Sequence, residues 1–426
     1  MTALAGNSAT AVLPRLRDPA AWVTAVDMLA ILLALVMPWS TTLVAVFAVT
    51  MVIAMGPFLD VRALLQFVRR PICAVPIALF VLAAAGTLWS DAPWGERLHA
   101  ISPTAKLLVL PLLLFHFERS QRGQSVFIAF LVSCALLSVM SWIVAFHPGL
   151  SLKPPAYAAR GIFVKDYIDQ SQEFALCAVA LVYPVITLLR AQKIWPAILL
   201  CAMALSFVAN MVFVIVSRTA LVTMPIMLAV FGLLHLKWRA NLIIFCAAAA
   251  IAGLAFLASP QLEWTVQTFS RDYRLYKEGV PTSIGERLEY WRNALKFYAE
   301  APVIGHGTGS TKGLYIKVAN DPDWIKGTRV FPNPHNQTLN VAVQWGTLGI
   351  IVLYAMWLLH LLLFRGEGFA NWIGLLVVVQ NIFTSLFNSH IFDFHEGWMY
   401  VLGVGVAGGM VLKARSLQLP LETRSS

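Results

Sequence analysis

The sequence predicts an all-α polytopic membrane protein with roughly twelve spans and one large polar, helical insert on the outer side. Three observations carry this reading. Hydrophobic residues make up 59% of the 426 positions, charged residues only 12%, and mean hydropathy is +0.74; a soluble domain carries about 25% charged residues. Apolar runs near 20 residues recur along the chain, and such a run crosses a hydrocarbon layer roughly 30 Å thick as a helix. One stretch, Pro260 to Pro334, interrupts them with polar sequence rich in Arg, Trp and Tyr.

Helices are expected for the spans because bare backbone groups find no hydrogen-bond partners in lipid. The apolar runs lie near 22–39, 41–57, 71–89, 102–117, 125–147, 172–190, 195–216, 219–236, 240–258, 336–363, 370–389 and 397–413. This divides the chain into spans one to nine (1–258), an outer loop domain (259–335), spans ten to twelve (336–413) and a tail (414–426). The first twenty residues lack the apolar stretch of a cleavable signal, so the first span is expected to double as signal-anchor.

Positive residues set the orientation. With the N-terminus inside, the inner loops hold Arg62, Arg69 and Arg70, then Arg119 and Arg122, Arg190 and Lys193, Lys237 and Arg239, and Arg365. Outer short loops are poorer in positive charge, which places both termini in the cytoplasm and the insert outside. The net charge of +10 therefore reflects topology and anionic lipid, and requires no nucleic-acid partner. Cys73, Cys134, Cys177, Cys201 and Cys246 all sit within apolar runs without paired spacing, so they read as buried packing residues.

Within the insert, Ser283-Ile284-Gly285-Glu286 fits a capping box, with a helix running to about Glu300 and stopping before Pro302. Leu288, Trp291, Leu295 and Tyr298 recur at helical spacing and give an apolar face expected against the membrane domain or its lipid. Arg287 flanks that face, either as a snorkelling arginine or as a functional cation. Gly305-His306-Gly307-Thr308-Gly309-Ser310 reads as a turn, with a phosphate cradle as the other option. Phe331-Pro332-Asn333-Pro334-His335-Asn336 leads into the tenth span. Pro334 disfavours helix before His335, so the imidazole lies near a helix N-terminus whose dipole keeps it neutral. It is then either a capping residue or a general base.

Other outer cations are Arg218 between two spans, Arg160 and Lys165 in the loop before the sixth span, and Arg97 and Lys106. An arginine near hydrocarbon is costly unless it meets an anion or water, although Arg218 also suits an ordinary tight turn. Lys106 also fits a snorkelling role. Two groups raise a metal: Asp321-Pro322-Asp323, which more often forms a turn, and His390, Asp393, His395 and Glu396, which lack the helical zinc arrangement. The reading adopted is no metal and no cofactor.

Guanidinium groups suit paired hydrogen bonds to pyrophosphate. No inner loop is large enough for a nucleotide-binding domain, so a transferase working outside would use a lipid-linked donor. Pro302-Val303-Ile304-Gly305-His306-Gly307, Pro334-His335-Asn336-Gln337-Thr338-Leu339 and Gly346-Thr347-Leu348-Gly349 resemble the O-antigen ligase/polymerase superfamily. Arg287 with Trp291, and Ser217-Arg218, fall where that pattern has them. Gln344 stands where many relatives carry an acidic residue.

The resemblance implies a GT-C-like fold and a multi-pass enzyme of the bacterial inner membrane with its site on the periplasmic face. It implies an O-antigen ligase moving a glycan from undecaprenyl pyrophosphate to a sugar hydroxyl of lipid A–core; a single displacement would invert the anomeric carbon, and charge neutralisation of the pyrophosphate would replace a metal. Carried over by position, His335 is the base, and Arg218 and Arg287 hold the donor pyrophosphate. Arg160, Lys165, Asn336, Trp291 and Asp393 are expected around the substrates. An O-antigen polymerase and a protein O-oligosaccharyltransferase are the nearest alternatives. A lipid or solute transporter is the alternative of another class, but it should show charged or broken helices at the midplane and two matching halves.

Overall fold

The computed structural model describes residues 18–422, apart from 159, 216, 322, 323, 326 and most positions from 236 to 259. The described residues form helices and no strand. In chain order these are α1 (Pro19–Val36), α2 (Thr41–Met55), α3 (Val61–Phe67), α4 (Pro71–Ala85), α5 (Trp94–Ile101), α6 (Val109–Phe117), α7 (Gly123–Phe146), α8 (Tyr167–Ala180), α9 (Val182–Arg190), α10 (Ile194–Phe213) and α11 (Arg218–His235). The insert supplies α12 (Pro260–Lys277), α13 (Ser283–Glu300) and α14 (Ser310–Val318), before α15 (Gln337–Leu363), α16 (Phe369–Thr384) and α17 (Phe394–Glu422).

Among the described residues, 8 helical stretches are long and apolar enough to cross a membrane. The bent pair α3–α4, turning by 89°, makes up to 9. Two shorter apolar helices, 222–234 within α11 and α16, fall on further expected spans. The chain is thus a polytopic all-α membrane protein. The expected span at 240–258 lies largely outside the described residues. Two spans are less regular than their hydropathy suggested. The fourth begins earlier, at Trp94, and passes through a 3-10 segment at Ser102–Leu108 before α6. The sixth breaks between α8 and α9 at Leu181, where Pro184 has no amide to give the Ala180 carbonyl.

The basic loops share one end of the bundle. Arg70 pairs with Glu118 at 3.1 Å, Lys413 donates to the Ser120 carbonyl at 2.9 Å, and Arg415 donates to the Leu363 carbonyl at 2.7 Å. This is the end assigned to the cytoplasm by charge. At the core, α17 packs against α6 and α16, with Gly405 and Gly409 lying against Leu113 and Phe117. Of the cysteines, Cys73, Cys134 and Cys177 are buried, but Cys201 and Cys246 are exposed. Their expected burial is corrected for these two; Cys201 lies on the outward side of α10.

The insert joins the membrane domain through an opened helix. Gly346 interrupts α15 with φ 60° and ψ −154°, a conformation that only glycine adopts readily. In a regular helix the Val343 and Gln344 carbonyls would accept from Thr347 and Leu348. Here both pairs turn to the loop after α13. His306 donates to Val343 and Gly307 to Gln344, each at 2.9 Å. Thr347 donates to Pro302 at 2.8 Å and Leu348 to Val303 at 3.1 Å. Four backbone groups freed inside a membrane helix are thereby satisfied by the insert, as lipid requires.

Candidate functional site

Helix α13 starts as expected but with a different cap. Thr282, not Ser283, is the N-cap, and its hydroxyl accepts from the Gly285 amide at 3.1 Å. The side packed most deeply is not the expected apolar face of Leu288, Trp291, Leu295 and Tyr298, although Tyr298 meets Thr347 of α15 at 2.7 Å. Tyr290, Ala294 and Phe297 are buried, while Leu295 is exposed. The polar partners explain the rotation. Glu289 and Asn293 are buried with Tyr290 and joined by a bond of 2.8 Å, so this face can go inward with its polar groups paired. Tyr290, Ala294, Phe297, Tyr315, Trp324 and Val343 form one small core. Val343 belongs to α15, so the insert packs directly on a membrane helix.

This core brings α13 to the start of α15, where His335 lies. His335 has φ 53°, a left-handed backbone uncommon outside glycine. Its amide is held by the Asn333 side-chain oxygen at 2.9 Å. The imidazole stacks on Phe331, with centroids 5.2 Å apart, and meets Tyr290 at 5.9 Å. Burial lowers its pKa below the usual 6.5, and the Arg287 charge lowers it further, against the raising effects of the Asn388 bond, Asp393 and Glu286. Burial, and not the helix terminus, is thus the leading influence favouring the neutral ring. Asn336 caps α15 through the Leu339 amide at 3.0 Å and reaches the Leu386 carbonyl at 3.1 Å.

Residues between α16 and α17 complete the site. His335 Nδ1 lies 2.9 Å from Asn388 Oδ1. Asn388 Nδ2 donates to Asp393 Oδ2 at 2.6 Å. Ser389 donates to Asn333 at 2.7 Å and accepts from Asn340 at 3.0 Å. Asn388 was missed in the sequence, because a lone asparagine in a short loop carries no spacing signal and its partner is 53 residues away. His390 Nδ1 approaches Asp393 at 3.2 Å and Glu396 at 3.5 Å, a set with the proximity of metal ligands. Burial opposes charge on His390, yet Glu396 and Asp393 push it up to about 10. The three side chains form an ion cluster in which one imidazole faces two carboxylates.

The remaining outer cations are spread along the same end. Lys106 is buried rather than snorkelling, and its ammonium donates to the Asp393 carbonyl because the 3-10 segment turns it inward. Lys165 donates to the Met37 carbonyl and lies 2.7 Å from His395 Nδ1, while His395 Nε2 meets Glu173 of α8. His395 thus faces away from the His390 group. Arg160 is exposed, with its guanidinium 5.2 Å over the Tyr167 ring. Arg97 closes its own loop on the Ala92 and Thr87 carbonyls. Trp291 is half-buried, flanking the Tyr290 face. Arg218 begins α11, and its side chain lies outside the described residues. Asp321 is exposed in a turn that Trp324 closes at 3.0 Å, and Pro322 and Asp323 lie outside the described residues.

The glycine-rich run is a structural turn. Its amides are taken by protein acceptors: His306 and Gly307 by α15, Thr308 by the Gly86 carbonyl at 3.0 Å, and Gly309 by Gln344 Oε1 at 2.9 Å. A Cβ on Gly305 would lie 2.5 Å from the Gln344 backbone, so no space is left there for a phosphate.

The arrangement brings Arg287, Tyr290 and His335 together within residues 203–354, the stretch matched by the O-antigen ligase family model. Over these residues the chain is similar to the O-antigen ligase family. This segment contains Arg218, Arg287, Trp291, His335 and the Gly346 break, whereas Asn388 and Asp393 lie beyond it. An uncharacterized protein of Haemophilus influenzae (strain ATCC 51907 / DSM 11121 / KW20 / Rd) is 30% identical over 143 residues. That match spans 32% of this chain and 36% of the relative.

Proposed function

We propose that this protein is an O-antigen ligase. It transfers a glycan from an undecaprenyl-pyrophosphate donor to a sugar hydroxyl of lipid A–core, at the periplasmic face of the bacterial inner membrane. The observation that supports the reading is His335, a half-buried imidazole stacked on Phe331, beside Tyr290 and 2.9 Å from Asn388, in the family-matched segment.

In the proposed step, His335 takes the proton of the acceptor hydroxyl as its oxygen attacks the anomeric carbon. The bond from that carbon to the pyrophosphate oxygen breaks, and undecaprenyl pyrophosphate leaves with the electron pair. Arg287 and Arg218 hold the charge that develops on it, so the leaving group departs without a separate acid. General-base assistance contributes about 10²–10⁴-fold. A single displacement of this kind inverts the anomeric centre. Arg160, Asn336 and Trp291 lie around the substrates in this reading, and Asp393 holds Asn388 beside His335, whereas Lys165 is taken up by the Met37 carbonyl and His395.

Reconstitution with purified lipid-linked glycan and rough lipopolysaccharide tests this. Glycan should appear on the lipopolysaccharide with wild type and not with His335→Ala. Growth of the glycan on its lipid carrier alone would identify a polymerase and defeat the ligase reading, and a retained anomeric centre would defeat the single displacement.

A further inference from the structure

We propose that Asn388 is a positioning residue that fixes the tautomer of His335, its own orientation being fixed by Asp393. This rests on the reading of His335 as general base. A neutral imidazole presents a base at one nitrogen only, and the hydrogen bond at the other nitrogen decides which. Asn388 Oδ1 faces Nδ1 at 2.9 Å. A carbonyl oxygen only accepts, so Nδ1 carries the hydrogen and Nε2 the free lone pair.

The amide cannot turn over without cost. Its Nδ2 lies 2.6 Å from Asp393 Oδ2, and its Oδ1 also accepts from Asn333 Nδ2 at 3.3 Å. Flipped, the amide would set its oxygen against the Asp393 carboxylate at that short distance. Asp393 is an acceptor as a carboxylate, and the same oxygen lies 3.2 Å from His390 Nδ1. The order is therefore Asp393, Asn388, His335, with each member fixing the next.

The interposed amide also separates orientation from charge. A carboxylate in direct contact with Nδ1 would favour the imidazolium, which cannot act as a base. Asn388 passes on the direction set by Asp393 and keeps that anion one residue away. The other groups acting on the ring are Arg287, which favours the neutral form, Glu286, which favours the charged form, and the Tyr290 and Phe331 rings packed beside it.

The test is ¹⁵N-histidine NMR on the full-length protein in nanodiscs, with the His335 signal identified by its loss in His335→Ala. Wild type should show a neutral ring with its hydrogen on Nδ1; a hydrogen on Nε2 overturns the proposal. In Asn388→Ala the tautomers should mix and kcat should fall about 10–100-fold, with donor KM unchanged. Asn388→Asp keeps an acceptor oxygen, so the tautomer and part of kcat should return, with the acid limb of the pH profile moved upward. Unchanged kcat and tautomer in Asn388→Ala would overturn the proposal. Should that variant not fold, the wild-type spectrum and the Asn388→Asp profile decide. If the tautomer depends on Asn388 but His335→Ala retains turnover, the base reading fails and the positioning relation stands.

Discussion

The amide of Leu348, inside a membrane helix, donates to the carbonyl of Val303 in the polar insert at 3.1 Å. Together with the three parallel bonds around Gly346, this contact makes the loop part of the helix. It sets the height and angle at which α13 leaves the membrane. Because α13 carries Arg287 and Tyr290, the relation reaches the site.

Gly346→Ala should therefore be destabilising. Its Cβ would lie 2.5 Å from the Val303 backbone at a positive φ. Backbone strain costs about 1–3 kcal/mol, and crowding costs about 1–3 kcal/mol. Thermal unfolding in detergent should show a lowered midpoint, and an unchanged one would refute the account of the break.

The His335 pKa lies below 6.5, so the neutral base persists as pH falls past the ordinary histidine range. Turnover should hold at pH 6.5 and drop only as pH passes through the lowered value. Replacing Arg287 by Gln removes a charge that lowers this pKa, so the acid limb should move to higher pH while donor binding weakens. A limb that stays in place would show that the Arg287 charge does not reach the ring.

Turnover should be the same in EDTA as in buffer, because in the proposed step the Arg287 and Arg218 guanidinium groups neutralise the leaving pyrophosphate. Asp321→Ala should match wild type. Activity lost in EDTA and restored by Mg²⁺ would require a metal in the reaction.

Glu173→Ala should lower stability by about 3–5 kcal/mol, since removing one partner of a buried pair strands the other. The stranded group is His395, beside the Lys165 ammonium. A melting temperature equal to wild type would show that this network contributes no net stability.

Hydropathy and composition were sufficient for the class of protein, the approximate spans and the one large insert, because exclusion of backbone polar groups from lipid is a local constraint. The start and stop of α13 were legible within a residue, since capping chemistry acts over three or four positions. Its buried face was not. Apolar spacing favoured Leu288, Trp291, Leu295 and Tyr298, but Glu289 and Asn293 could go inward only by pairing with each other and packing among residues far along the chain.

By itself the sequence determined that His335 precedes a helix after a stiff proline approach, that positive charge favours the inner loops, and that segments around His335 resemble one family. Only the tertiary structure decided that the glycine run fills a broken membrane helix instead of cradling phosphate, and that Lys106 and Lys165 turn inward. It also decided that Asn388, in the loop beyond α16, faces His335. The physical reason is reach: helix periodicity and caps are set by neighbours within about one turn, whereas hydrogen bonds across 53 residues exist only after the helices have packed.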